Sequence, residues 1–197
     1  MYNLFSKLVY RKEYSMRVIA GKARRRPLVS PEGLQVRPTT DRTKETLFNM
    51  IQHDVYDCDF LDLFSGSGAI GIEALSRGAK HAVFVDEHKA ALTCIKENLN
   101  KTMLIEAADI CSMHVVKALE QFNKRQQTFD IIFMDPPYNH GWESRVIPLI
   151  VSYGLLNEGG MIICESAIDT SMDFVDDLSC MILKEKYFKT NKFTFIG

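Results

Sequence analysis

Short apolar runs alternate with longer segments of helical period along most of the chain. The apolar runs, rich in Val, Ile, Leu and Phe, predict buried strands at residues 60–64, 82–85, 103–106, 129–134, 161–165, 181–187 and 192–196. Segments whose apolar residues recur three or four positions apart predict helices at residues 69–77, 89–99, 112–124, 142–153 and 170–178. Strands that alternate with helices indicate an α/β fold, in which a parallel, doubly wound sheet carries helices on both faces.

The two ends of the chain add other elements to this sheet. The last two predicted strands follow each other without a helix, which indicates an antiparallel edge hairpin on a seven-stranded, mostly parallel sheet of Rossmann-like type. A helix is predicted from Thr40 or Asp41 to about Gln52, and before it Gly and Pro punctuate two short strands at 18–20 and 34–37. We therefore predict a disordered extension at residues 1–15, a basic hairpin at 16–40 and a Rossmann-like domain at 41–197.

A glycine-rich turn follows the first strand of the predicted sheet. Its sequence at residues 62–71, D-L-F-S-G-S-G-A-I-G, has the G-x-G-x-x-G pattern, in which Gly66 and Gly68 permit a tight turn and close approach to a ligand. Asp86 lies 20 residues after Gly66, where a carboxylate can bind ribose hydroxyls. The arrangement fits an adenosine-containing ligand but does not distinguish NAD from S-adenosylmethionine, and close packing alone is another explanation of the glycines.

Asp62, directly before the glycine loop, favours S-adenosylmethionine. A carboxylate at this point attracts the ammonium group of a methionine and repels a pyrophosphate, although a turn or capping role would also explain it. Phe64 in the loop and Glu87 beside Asp86 complete the predicted cofactor contacts. Asp109, after the predicted third strand, has two interpretations: an acceptor for the adenine amino group, or the cap of the helix that follows.

A buried strand that ends in D-P-P-Y carries the predicted chemistry. Asp135, Pro136, Pro137 and Tyr138 follow the apolar run 129–134. The residue before a proline is extended and each proline holds φ fixed, so the motif presents its carboxylate and carbonyl oxygens on a rigid platform. A plain turn can also use Asp-Pro-Pro, but a tyrosine directly after it, at the end of a strand, favours binding of an aromatic base.

This platform suits methylation of an exocyclic base amine, whose lone pair is delocalised into the ring. If Asp135 and the Pro136 carbonyl accept its two N–H groups, the nitrogen can pyramidalise toward the methyl donor, while Tyr138 stacks on a flipped or unpaired base. Carbon-5 methylation of a pyrimidine needs a cysteine nucleophile, and hydrolysis by an activated serine needs a G-x-S-x-G elbow. No cysteine stands beside the motif, and the elbow pattern does not occur.

Composition and charge limit the kinds of partner and bound group that the protein is expected to have. The 197 residues include five scattered cysteines without a C-x-x-C pair and five histidines without a metal-like spacing, so neither disulfides nor a metal site are expected. No apolar stretch is long enough for a membrane span and no signal peptide is recognised, so we expect a cytoplasmic protein without a membrane partner. The stated net charge of −1 divides into +7 up to Glu45 and −8 in the remainder.

The excess of positive charge predicts a polyanionic partner for the N-terminal segment. The basic residues that crowd the predicted hairpin are Lys22, Arg24, Arg25 and Arg26. Such a cluster can grip nucleic-acid phosphates and so supply affinity, while base selection lies in the pocket. A solvated charged surface without a partner is the alternative.

Five segments of the chain, in this order and at natural spacings, resemble the RsmD family of ribosomal RNA guanine-N2 methyltransferases. They are MRVIAGKARRRPL, RPTTDRTKETLFNMI, DLFSGSGAIGIEALSRGA, VDEHKAA and FDIIFMDPPY. The resemblance extends from Met16 to the end of the chain, and its first two segments point to this family among the amino methyltransferases. Members usually begin near Met16, so residues 1–15 depart from the pattern.

The resemblance implies a class I, S-adenosylmethionine-dependent enzyme that methylates N2 of a guanine in 16S rRNA, within an assembling small ribosomal subunit. The residues that it assigns to the cofactor segment are Asp62, Gly66, Gly68 and Asp86. Those that it assigns to the catalytic segment are Asp135, Pro136, Pro137 and Tyr138. By the same resemblance, Arg37, Thr39 and Arg42 line the entrance for the cofactor or the base.

Three other functions remain open at this stage. A DNA adenine or cytosine amino methyltransferase would share the chemistry, but those enzymes commonly carry a large target-recognition region for which this chain has no room. A non-catalytic RNA-binding assembly factor would have a vestigial cofactor fold, and the intact motifs count against it. An NAD oxidoreductase would share the glycine loop and would bind NADH.

Overall fold

The computed structural model describes residues 16–31 and 41–197. The strands are β1 Met16–Arg17, β2 Pro27–Leu28, β3 Asp59–Leu63, β4 His81–Asp86, β5 Ala108–Ser112, β6 Phe129–Met134, β7 Leu156–Ala167, β8 Ile182–Tyr187 and β9 Asn191–Ile196. The helices are α1 Asp41–Met50, α2 Ala69–Arg77, α3 Lys89–Thr102, α4 Val115–Lys124 and α5 Glu143–Ser152. Among the described helices, none is long and apolar enough to span a membrane.

Strands β3 to β9 form one seven-stranded sheet in the order β5-β4-β3-β6-β7-β9-β8. Strands β3 to β7 are parallel, and β9 runs antiparallel between β7 and β8. The predicted α/β fold of Rossmann-like type, with its antiparallel edge hairpin, is confirmed. The strand order reverses direction at β3, which pairs with β4 on one side and β6 on the other, so a crevice opens beyond the carboxyl ends of these strands.

Alternation along the strands divides the core into two layers, because successive side chains point to opposite faces of a sheet. Phe60 of β3 packs on the side of α1, α2 and α3, with Phe48 of α1 and Leu75 of α2. Leu61 packs on the other side, with Leu119 of α4 and Ile147 of α5. Both faces are therefore covered, which explains why the central strands read as nearly continuous apolar runs.

The N-terminal hairpin differs from the prediction in its strands. Strand β1 pairs antiparallel with β2, Met16 opposite Leu28 and Arg17 opposite Pro27. Residues 18–20 are not a strand, because the backbone N–H groups of Ile19 and Ala20 donate to the Glu73 carboxylate of α2. The predicted extension 1–15 and the predicted strand 34–37 lie outside the described residues.

Two further predictions about elements are wrong. The third strand of the domain was expected at 103–106, but α3 continues to Thr102, Met103 closes it at φ 61°, and a 3₁₀ turn over Ile105–Ala107 precedes β5. The helix expected at 170–178 is only a 3₁₀ turn over Asp173–Asp177. Its acidic side chains face solvent and only Val175 of the turn is buried, so packing does not stabilise a longer helix.

Candidate active site

The glycine loop joins β3 to α2 in a tight, left-handed turn. Phe64, Gly66 and Gly68 have φ of 58°, 54° and 74°, and the Gly68 N–H donates to the Ser65 carbonyl at 2.7 Å. A Cβ on Gly71 would lie 2.4 Å from Cε1 of the Phe84 ring, so only glycine lets α2 pack this close to β4. The loop therefore holds the amino end of α2 against the carboxyl edge of the sheet.

Asp86 at the end of β4 is held by two backbone groups. Its Oδ2 accepts a hydrogen bond from the Gly66 N–H at 2.9 Å, and its Oδ1 accepts one from the His88 N–H at 2.9 Å. Glu87 and His88 beside it are exposed and line the same crevice. A carboxylate thus lies against the glycine loop, in the position that the 20-residue spacing predicted.

Asp62 is buried at the end of β3, with 2% of its surface exposed. Its Oδ2 accepts a hydrogen bond from the Gly71 N–H at 3.0 Å. Burial raises the pKa of this carboxyl to about 8, against the lowering effect of the Gly71 hydrogen bond and with a smaller contribution from the charge of Asp86. A cationic ligand beside Asp62 would favour the ionised form of this carboxyl group.

The D-P-P-Y motif directly follows β6, where it faces the glycine loop. Burial, followed by the charges of Glu165 and Asp62, raises the pKa of Asp135 well above its ordinary value. Within the part of the chain that the structure describes, no hydrogen bond to the Asp135 carboxylate is formed. Pro136 is buried and Pro137 exposed, while the Tyr138 hydroxyl donates to Glu165 Oε1 at 3.3 Å.

Glu165 and Asn191 belong to the site but were missed in the sequence. Glu165, 5% exposed, lies near the end of β7, and its Oε1 also accepts a hydrogen bond from Asn191 Nδ2 of β9 at 2.6 Å. The sequence held a signal for Glu165, because this carboxylate ends the predicted buried strand 161–165. No local pattern marks Asn191, because it reaches the site only through antiparallel pairing of β9 with β7.

Trp142 and His114, which the sequence did not mark, join the predicted Phe64 in another wall of the site. The Phe64 and Trp142 ring centroids lie 5.4 Å apart in an edge-to-face arrangement, and His114 is also 5.4 Å from Trp142. The Arg145 guanidinium lies 4.4 Å from the centroid of the Trp142 ring. Such a wall suits a planar aromatic ligand.

The glycine loop, the acidic residues, the D-P-P-Y motif and Trp142 line one cavity of about 580 Å³, within the range that small-molecule sites usually occupy. Its acidic and motif residues are Asp62, Asp86, Glu87, Asp135, Pro136, Pro137, Tyr138 and Glu165. Its loop and aromatic residues include Phe64, Gly66, Trp142 and His114. Met16 of β1 and Thr43 of α1 also reach it, so the N-terminal segment forms part of the wall. Gly68 lies behind the loop, where it starts α2.

Asp109 lies outside the cavity, so it is not kept among the proposed cofactor contacts. It lies within β5 rather than after it, its side chain is 69% exposed, and its Oδ2 is 3.6 Å from His81 Nε2. It is not among the residues that line the cavity. The third strand begins later in the chain than predicted, so Met113 and His114, not Asp109, stand at its carboxyl end and reach the cavity.

The basic residues of the hairpin divide into two groups. Lys22, Arg24 and Arg25 are exposed on the turn between β1 and β2, and Arg42 is exposed on α1. Arg26 is half-buried and donates from Nη1 to the Lys101 carbonyl at the end of α3, which gives it a structural contact. Arg37 and Thr39 lie outside the described residues. Among the residues described, no cluster of His, Cys, Asp or Glu has the geometry of a metal site.

The chain is similar to known proteins along most of its length. The family model described as Conserved hypothetical protein 95 matches residues 16–196. A Bacillus subtilis (strain 168) protein provisionally named an rRNA methyltransferase, YlbH, is 40% identical over 173 residues, which are 87% of this chain and 94% of that protein. Ribosomal RNA small subunit methyltransferase D of Haemophilus influenzae is 34% identical over 174 residues, which are 87% of this chain and 88% of that protein.

A solved structure has the same fold. It is the Escherichia coli protein yhhF, described provisionally as a methyltransferase, which superimposes with a TM-score of 0.79 at 31% identity over 92% of this chain and 96% of that chain. The matched family model covers both the hairpin and the sheet. The chain therefore belongs to the family described as Conserved hypothetical protein 95, the RsmD family that its motifs predicted.

Proposed function

We propose that this protein transfers a methyl group from S-adenosylmethionine to the N2 amine of a guanine in 16S rRNA of the small ribosomal subunit. The observation that carries the proposal is the meeting of Asp135, which follows β6, and Asp86, which ends β4, in one cavity around the glycine loop. The names of the rRNA methyltransferase relatives support an rRNA substrate. Modification within an assembling subunit is part of the same proposal.

The charge of the cavity fits S-adenosylmethionine, which carries a sulfonium and an ammonium group. Asp62, Asp86, Asp135 and Glu165 are all acidic and line the same space. A pyrophosphate in this space would be repelled, so the NAD alternative is disfavoured. Asp86 and Glu87 are suited to bind the ribose hydroxyls, Asp62 the ammonium group, and Phe64 with Trp142 the adenine ring. The loop at Gly66 lets the backbone approach these groups closely, and Gly68 starts the helix behind it.

The D-P-P-Y residues supply the chemistry on the base. Asp135 and the Pro136 carbonyl accept hydrogen bonds from the two N–H groups of the amine, so the nitrogen lone pair points at the methyl carbon. Pro137 keeps this platform rigid, and Tyr138 stacks on the base. The bound cofactor supplies an electrophilic methyl group. A C–N bond forms as the C–S bond breaks, and the positive charge passes from sulfur to nitrogen. The raised pKa of Asp135 suits it to take the proton that the methylated nitrogen then releases.

The exposed basic residues are proposed to hold the RNA. Lys22, Arg24 and Arg25 project from the hairpin turn, and Arg42 lies one residue before Thr43, which lines the cavity. Contacts from these residues to phosphates would fix the position of the RNA without selecting the base. Arg37 completes the predicted set, and Arg26 is left out because it holds the hairpin to α3.

The test is methyl transfer by the wild type and by Asp135→Ala, with nucleoside mass spectrometry of the RNA product. The substrate is the small subunit, or its 16S rRNA, from cells that lack the gene. We expect N2-methylguanosine with the wild type and a fall in turnover of about 100-fold or more in the variant, because a transition-state acceptor is lost. Affinity for S-adenosylmethionine, measured by calorimetry, should change only a few fold.

Each alternative gives a different result. Wild-type protein that binds the cofactor but forms another methylated nucleoside would overturn the guanine assignment. A non-catalytic assembly factor would form no methylated nucleoside, and a DNA methyltransferase would modify DNA instead of rRNA. Asp135→Ala with half the wild-type turnover would show that this carboxylate does not contact the amine.

A further inference from the structure

We propose that Glu165 selects the base by accepting a hydrogen bond from the ring N1–H of guanine, while Asp135 accepts from the N2 amine. This inference rests on the proposed function and adds the residue that determines base specificity.

The sheet register places the two carboxylates side by side. Met134 of β6 pairs with Cys164 of the parallel strand β7, so the next residues along the two strands are Asp135 and Glu165. Both line the cavity, and the charge of Glu165 is the largest charge effect on Asp135. A base whose amine lies at Asp135 therefore presents the neighbouring part of its edge to Glu165.

Two donors hold the Glu165 carboxylate in a defined orientation. Asn191 Nδ2 and the Tyr138 hydroxyl donate to the same oxygen, Oε1, at 2.6 Å and 3.3 Å. Asn191 is itself positioned by its pairing with Ala167 at the start of β9. Because Tyr138 is the proposed stacking residue, the contact also couples the plane of the base to the carboxylate that reads its edge.

The chemistry of base edges makes this carboxylate selective. Guanine has a donor, N1–H, directly beside its exocyclic amine. Adenine and cytosine have an acceptor nitrogen in the equivalent place, and its lone pair would face a carboxylate oxygen. A site built to bind an N–H group strongly rejects an analogue that lacks it, because its buried acceptor is left unpaired. The same carboxylate also stabilises the positive charge that develops on the guanine amine.

The experiment compares guanine with 2-aminopurine, which keeps the 2-amino group but has an acceptor at N1. The substrate is a 16S rRNA fragment that carries either base at the guanosine mapped in the wild-type reaction. We expect wild-type kcat/KM to be on the order of 100-fold lower for 2-aminopurine, from the loss of a charge-assisted hydrogen bond. In Glu165→Gln the guanine rate should fall and the preference should collapse, because the amide can donate to the 2-aminopurine N1.

The control is Glu158→Gln, the same substitution at an exposed position of β7, which should keep both the rate and the preference. Wild-type protein that methylates both bases equally would overturn the role of Glu165 and leave the proposed function intact. Wild-type protein that forms no N2-methylguanosine in either 16S rRNA or the small subunit would overturn the proposed function. A preference that survives in Glu165→Gln with normal cofactor affinity would also count against the inference.

Discussion

At the scale of single residues, the site concentrates acids, of which Asp62 and Glu165 are buried and Asp135 is half-buried. Asp62, Asp135 and Glu165 line one cavity, and burial is the largest cause of the raised pKa of both Asp62 and Asp135. Burying carboxylates costs free energy. In the proposed function, a cationic cofactor and a base that becomes cationic during the reaction would offset this cost, so the ligand rather than folding would account for the acids.

One prediction concerns proton release from Asp62. Its pKa rises from 3.8 to about 8 on folding, so the stability linked to this group is present below pH 3.8 and is lost as the pH rises through about 8. A cationic ligand favours the ionised form, so S-adenosylmethionine should bind more tightly as the pH rises toward 8 and should release protons at pH 7. Calorimetry in buffers of different ionisation enthalpy measures the release.

The matched variant is Asp62→Asn, whose amide oxygen can still accept the Gly71 hydrogen bond. It should bind the cofactor more weakly and release fewer protons than the wild type. Equal proton release by the variant and the wild type would assign the effect to another carboxyl group.

A second prediction separates two aspartates that the sequence assigned to cofactor binding. Asp86→Ala should raise the dissociation constant of S-adenosylmethionine by about 10-fold to 100-fold, because charge-assisted hydrogen bonds to the ribose are each worth about 1.5–3 kcal/mol. The loop would also lose the contact from Asp86 to the Gly66 N–H. Asp109→Ala, at an exposed site on the next strand, is the control and should leave the affinity unchanged. A larger loss of affinity in Asp109→Ala than in Asp86→Ala would place Asp109 at the cofactor site.

At the scale of elements, Glu73 of α2 joins the hairpin to the domain. Its buried carboxylate accepts from the N–H groups of Ile19 and Ala20 and from Arg77 Nε, at 2.8 to 3.0 Å. Lys44 of α1 lies 3.5 Å from the same carboxylate and donates to the Arg17 carbonyl at 2.6 Å. Burial lowers the Lys44 pKa, and the Glu73 charge opposes this effect. The start of the described chain is therefore docked by a charge network rather than by strand pairing alone.

This network predicts a large effect of Glu73→Ala on stability. The substitution leaves the buried Lys44 ammonium without its counter-ion and two backbone donors without their acceptor, so the free energy of unfolding should fall by about 3–5 kcal/mol. Urea unfolding measures it. Cofactor affinity should also fall, because Met16 of the hairpin lines the cavity. The control is Glu120→Ala, because Glu120 is exposed on α4. This variant should change the free energy of unfolding by no more than about 0.5 kcal/mol. An equal loss in both variants would exclude a special role for Glu73.

At the scale of the whole molecule, charge is divided between a basic N-terminal segment and an acidic cavity. The +7 segment carries its exposed Lys22, Arg24 and Arg25 on the hairpin turn, while the acids of the −8 remainder include those of the cavity. Long-range attraction would bring RNA to the hairpin, and the acidic cavity would repel phosphates while it accepts a cation and a neutral base.

The division predicts the salt dependence of RNA binding. Replacing Arg24 and Arg25 with Ala should weaken binding and reduce the slope of log affinity against log salt by up to about two phosphate contacts, each worth about 0.7–0.9. Affinity for S-adenosylmethionine should not change. Filter binding at several salt concentrations measures the slope. Lys186→Ala with Lys189→Ala removes the same charge from exposed positions near the sheet edge, and a slope that falls as much in this control would indicate a general charge effect.

Local patterns alone determined much of this protein. The spacing of apolar residues predicted the parallel sheet with its edge hairpin, because apolar residues recur at different intervals in strands and in helices. The glycine loop, the spacing to Asp86 and D-P-P-Y predicted a cofactor crevice and a base-binding platform, because each motif works through its own backbone. The third strand was placed too early, since the end of α3 depends on a left-handed residue, Met103, that no apolar pattern marks.

Only the tertiary structure decided which distant residues meet. Glu165 and Asn191 are 26 residues apart and join through the register of β7 and β9. Trp142 reaches Phe64 across the mouth of the sheet, and Arg26 reaches the end of α3 instead of solvent. Asp109 is excluded from the cavity because its strand starts later than the sequence suggested. Strand order and register are set by packing of the whole chain, so residues that converge at strand ends become neighbours only after folding.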